Sequence, residues 1–70
     1  MATYYIETDL GRRYIKDIDF AQGTLTFTTN KDEAYDGRNG YYAIPTRDMI
    51  RRNFSEDYPE VKKLECSAAW

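Results

Sequence analysis

Thr24-Leu25-Thr26-Phe27-Thr28-Thr29-Asn30-Lys31-Asp32-Glu33-Ala34 is the stretch that decides the fold. Its first five residues alternate, which on a strand sets Leu25 and Phe27 on one face and three threonines on the other. From Asn30 the pattern changes. Asparagine is a good helix N-cap, and Glu33 stands three residues on, as in a capping box. Asp32 and Glu33 suit the positive end of a helix dipole, and Gly37 can close a helix in the left-handed conformation. The spacing predicts a strand running directly into a short helix over 30–37. A helix of two turns does not persist alone, so Ala34 and Tyr35 must pack on the sheet.

Upstream, Thr3-Tyr4-Tyr5-Ile6-Glu7-Thr8 is β-branched and aromatic and predicts a strand. Each side of the Tyr4-Tyr5 pair faces a different way, one ring to the core and one to water. Asp9-Leu10-Gly11 makes a tight turn, and residues 12–20 return as a second strand. Ile15 and Ile18 are three apart and cannot share a face on a regular strand, so either a bulge lies near Lys16-Asp17 or one isoleucine is exposed. Ala21-Gln22-Gly23 turns into the Leu25/Phe27 strand, completing a meander.

Downstream, Arg38-Asn39-Gly40 is a loop, and Tyr41-Tyr42-Ala43-Ile44 is a short strand or an extended lead-in, since Pro45 keeps Ile44 out of the helical region. Thr46 caps a second helix to about residue 54, with Met49, Ile50 and Phe54 inward. Residues 55–59 end it. Residues 60–68 return as a strand with Leu64, Cys66 and Ala68 on one face. The order β-β-β-α-α-β defines an α+β fold: one domain over 1–70, a small antiparallel sheet with one or two short helices on one face.

Seventy residues bury only about 60 % of their exposable surface, so staples or partners matter. The chain has one cysteine and no histidine, which rules out an internal disulfide and leaves no zinc ligand set. No metal or other cofactor is expected. Ten basic and twelve acidic side chains give a net charge of −2, a balance that suits neither a general polyanion binder nor a DNA mimic. No apolar run approaches the roughly 20 residues of a membrane span, and the N-terminus lacks a secretion signal. With a lone thiol, the expectation is a cytoplasmic protein with no membrane role.

Candidate chemistry is sparse. Asp17 and Asp19 lie two apart on a strand and can share a face, but so can solvated carboxylates on a chain too short for a deep pocket. Cys66 alternates with Leu64 and Ala68 as a small core residue would. Asn53-Phe54-Ser55 matches a glycosylation sequon and is read as chance. Asp36-Gly37-Arg38-Asn39-Gly40 lacks the strand and the Lys-Ser/Thr of a phosphate loop. These absences favour a binding protein over an enzyme.

The surface signals are aromatic and basic. Seven tyrosines include Tyr41, Tyr42 and Tyr58, and a terminal Trp70 is costly to leave in water. Arg47 and Arg51, four apart on the second helix, share a face beside Arg52. Tyr41, Tyr42, Arg47, Arg51, Tyr58 and Trp70 are therefore the expected partner-binding residues, toward a host protein or a second copy in a homodimer. Asp48 stands four residues before Arg52 and is placed to pair with it. The alternative is a small nucleic-acid-binding domain that uses the arginine-rich helix.

The β-hairpin, the phrase Phe27-Thr28-Thr29-Asn30-Lys31-Asp32-Glu33-Ala34 at a helix start, and the helix and strand that follow resemble a group of small bacteriophage and prophage proteins. The resemblance covers most of the chain in outline and about eight residues in letters. It implies a context and no site residues: an accessory protein of a phage or mobile element that binds or inhibits a protein of a bacterial host, such as a defence component.

Overall fold

The structure, a computed structural model, describes residues 2–37 and 42–68. Four strands, β1 (Ala2–Thr8), β2 (Gly11–Asp19), β3 (Thr24–Thr28) and β4 (Glu65–Ala68), form one antiparallel sheet in the order β3-β2-β1-β4. Among the described residues a single α-helix, α1 (Ala43–Phe54), packs against β4 and a short 3-10 turn at Pro59–Lys63. The chain is an α+β domain of the expected kind.

The meander forms where its turn chemistry places it. Gly11 and Gly23 carry the positive φ that the two turns need, at 111° and 69°. At the first turn the Thr8 hydroxyl donates to the Gly11 carbonyl at 2.6 Å and accepts from the Leu10 N–H at 3.2 Å. The isoleucine spacing is reconciled by a bulge. Ile15 pairs with Phe27 and Asp17 with Thr26, so Lys16 is the extra residue. Ile15 is then fully buried, and Ile18 packs partly against the same core.

The first expected helix is reduced to one 3-10 turn, Lys31–Glu33. Its Asn30 cap is as read, since that side chain accepts from the Asp32 N–H at 3.0 Å. The capping box does not close: the Asn30 N–H donates to the Thr28 hydroxyl at 3.0 Å, and that hydroxyl donates to the Glu33 carboxylate at 3.2 Å. It ends because the sheet claims the following backbone. The β1–β2 ladder runs from Tyr5↔Tyr14 to Thr8↔Gly11, and beyond it residues 35–37 take over. The Tyr35 N–H donates to the Ile15 carbonyl at 2.8 Å, and Ala2 and Gly37 exchange two bonds, at 3.1 and 2.8 Å. Ala34 is already extended. Gly37 is thus a bridge residue, not a helix cap.

The second helix starts earlier than expected, at Ala43 rather than after Thr46. Pro45 falls in its first turn, where no intrahelical N–H is needed. Tyr42 and Ile44 accordingly belong to the helix start and not to a strand; Tyr41 lies outside the described residues. The last strand is shorter than read, because Pro59–Lys63 coils and drops Val61 into the core before β4 begins.

The core gathers Ala2, Tyr4 and Ile6 of β1, Ile15 of β2, Leu25 of β3, Ala43, Ile50 and Phe54 of α1, and Val61 and Leu64. Phe27 is only half-buried, under the Arg13 guanidinium at 4.6 Å. The Tyr4-Tyr5 pair divides as expected, with Tyr4 buried and Tyr5 half-exposed on the opposite face beside Tyr14.

Tyr4 carries a buried hydroxyl with no hydrogen-bond partner. Burial raises its pKa above the ordinary value near 10, and the neighbouring Thr46 hydroxyl offsets this only in part without meeting hydrogen-bond geometry. The folded protein therefore keeps Tyr4 neutral where the unfolded chain ionises it. That contribution is intact below the unfolded value and is lost as pH rises beyond it. Tyr4→Phe removes the orphan hydroxyl, so stability at neutral pH should hold or rise, by up to about 1 kcal/mol. Alkaline unfolding should move to higher pH. A variant that melts well below the parent at neutral pH would show that the hydroxyl is satisfied.

Candidate protein-binding surface

Arg47 and Arg51 do not stand free. They lie on the flank of α1 that faces β4, with side chains 20 % and 30 % exposed. The Arg51 Nε donates to the Leu64 carbonyl at 2.9 Å, its Nη2 donates to the same oxygen, and Nη2 also meets the Glu65 carboxylate at 3.2 Å. Arg47 pairs with Asp48 at 3.2 Å and with Glu65 at 3.6 Å. Asp48 is shared with Arg51 at 4.0 Å, so its partners are these two arginines rather than the expected Arg52. The group fastens the helix to the start of β4. Charge and periodicity put both arginines on one face but could not show that the face is docked.

The fastening has a measurable consequence. Arg51→Ala removes donors from a peptide carbonyl and a carboxylate and should cost about 1–3 kcal/mol in a urea titration. Little of this should vanish at high salt, because the Leu64 carbonyl is neutral. A loss erased by salt would reduce the arginine to a surface ion pair.

Tyr58 is also engaged. It follows α1, donates its N–H to the Phe54 carbonyl at 2.8 Å, and packs its ring 6.2 Å from that of Phe27. Its hydroxyl accepts the Leu25 N–H at 3.1 Å, thirty-three residues away in sequence. Trp70, like Tyr41, lies outside the described residues. Tyr42 is 55 % exposed at the start of α1, and Ile44 beside it is 47 % exposed, with Pro45 also in solvent.

Other exposed apolar side chains are Leu10 at the β1–β2 turn, Phe20 after β2, and Tyr35. Phe20 leans on Phe54 edge-on at 5.7 Å, and the Tyr35 ring lies 6.4 Å from that of Tyr4. Sequence reading missed Ile44 because an extended lead-in was one option there. No local signal marked it, because its exposure follows from a helix start at Ala43 that Pro45 argued against.

The chemical candidates lie on the sheet. Asp17 and Asp19 pair with Thr26 and Thr24 on the face away from the core, and the Asp19 carboxylate accepts the Gln22 N–H at 3.0 Å. Cys66 is half-buried opposite Tyr4. Among the described residues no group of His, Cys, Asp and Glu could hold a metal ion, and no helix is long and apolar enough to cross a membrane. The chain matches no protein-family model, no curated protein and no solved structure.

Proposed function

We propose that the chain is a non-enzymatic protein-binding module, an accessory protein of the phage or mobile-element type that binds or inhibits a host protein in the bacterial cytoplasm. The carrying observation is the exposed Tyr42-Ile44-Pro45 start of α1. A domain with so small a core leaves two large side chains about half in water on a rigid helix, where they are presented at little ordering cost. A tyrosine beside an aliphatic residue is the composition of an interface centre. The expected contact set accordingly narrows toward Tyr42, with Tyr41 next to it in sequence, while Arg47, Arg51 and Tyr58 are given structural work.

The nucleic-acid alternative is weakened by the same contacts. Guanidinium groups already held by Asp48, Glu65 and a carbonyl must break those bonds to reach phosphate. A Tyr42→Ser/Ile44→Ser double variant should keep native circular dichroism and lose the protein that the parent captures from a bacterial lysate. Capture retained by the folded variant would move the contact elsewhere. A gel shift with nucleic acid that weakens steeply with salt would favour the alternative.

A further inference from the structure

Among the described residues β3 is an edge strand whose one sheet neighbour is β2. Edge strands are normally blunted by charge, proline or a bulge, and Thr24-Leu25-Thr26-Phe27-Thr28 has none of these. The one bulge lies on β2. Threonine and aromatic residues are also among the strongest strand formers. Backbone groups alternate along a strand, so Leu25, whose N–H is bonded outside the sheet, and Phe27, two residues on, both turn theirs to the open side. The Tyr58 hydroxyl oxygen sits on that Leu25 N–H at 3.1 Å, where the carbonyl of an added strand would stand. The ring is held there by Phe27 and by the Tyr58 N–H bond to the end of α1.

We propose that Tyr58 is a gate on the β3 edge, and that removing its hydroxyl lets a second copy of this chain pair antiparallel along β3. The segment is close to self-complementary about Thr26. Such pairing sets Leu25 opposite the second copy's Phe27 on the core face and continues the threonine ladder on the other. A five-residue edge offers a small contact, so one capped N–H is enough to decide the balance.

Sedimentation of the intact chain and of Tyr58→Phe over a wide dilution range tests this. The variant should self-associate about tenfold more tightly than the parent, the ratio that roughly one backbone partner represents. Adding Thr26→Lys, which places a charge on the edge, should return it to the parent's behaviour. A variant no more associated than the parent overturns the gate. So does association that Thr26→Lys leaves unchanged, since it uses another surface. If Tyr58→Phe does not fold, amide exchange of the parent decides: the Leu25 amide should be protected, and fast exchange there overturns the proposal.

Discussion

Ile50→Ala is expected to remove about 2–5 kcal/mol of stability. Ile50 is fully buried at the centre of the contact between α1 and the sheet, within the cluster that holds Tyr4, Val61 and Leu64. Truncation loses the transfer energy of the removed methyl groups and leaves a cavity that a short helix cannot close, since Arg47 and Arg51 hold its flank to β4. A domain of this length has a total stability of about 4–10 kcal/mol, so the variant should be largely unfolded or close to it. Urea titration should show a much lower midpoint with an unchanged slope if it still folds. A midpoint near the parent's would mean that α1 is not docked through Ile50.

Gly37→Ala is expected to cost about 1–3 kcal/mol, a large effect for one added methyl. A Cβ at Gly37 would stand 2.8 Å from Cε2 of the Tyr4 ring and 3.0 Å from its hydroxyl oxygen. Neither neighbour can yield cheaply. Tyr4 is packed on every side, and Gly37 is tied to Ala2 by two backbone bonds. Relief must come from parting that bridge, so faster exchange of the Ala2 and Gly37 amides should accompany the loss. The same substitution at a helix C-cap would be costly through its left-handed φ, but Gly37 has no positive φ. The two explanations separate in a Tyr4→Leu background, where the cost should fall if the ring is the obstacle and persist if the backbone is.

Most of the sheet was legible in the sequence. The Leu25/Phe27 alternation and the Gly11 and Gly23 turns are local signals with one geometric answer each, and the odd Ile15–Ile18 spacing left two, of which the bulge is the one the structure takes. The candidate surface was legible only in kind. An excess of tyrosine and arginine says that such side chains sit near the surface, and the structure distributes them differently from their chemistry. Arg51 spends its donors on Leu64 and Glu65, and Tyr58 its hydroxyl on Leu25, while about half the surface of Tyr42 and of Ile44 stays exposed.

The sequence by itself determined what depends on neighbours along the chain: strand alternation, turn glycines, the Asn30 cap, and the absence of histidine and of a second cysteine. Tertiary structure alone decided where local preferences compete with distant partners. The helix expected over 30–37 yielded to backbone bonds from Ile15 and Ala2, because two turns of helix gain less than a place in a sheet. β4 joined β1 rather than β3, and α1 docked by arginines, because burial of Val61 and Leu64 between helix and sheet fixes the return of the chain. Those contacts join residues far apart in sequence, and no local pattern records them.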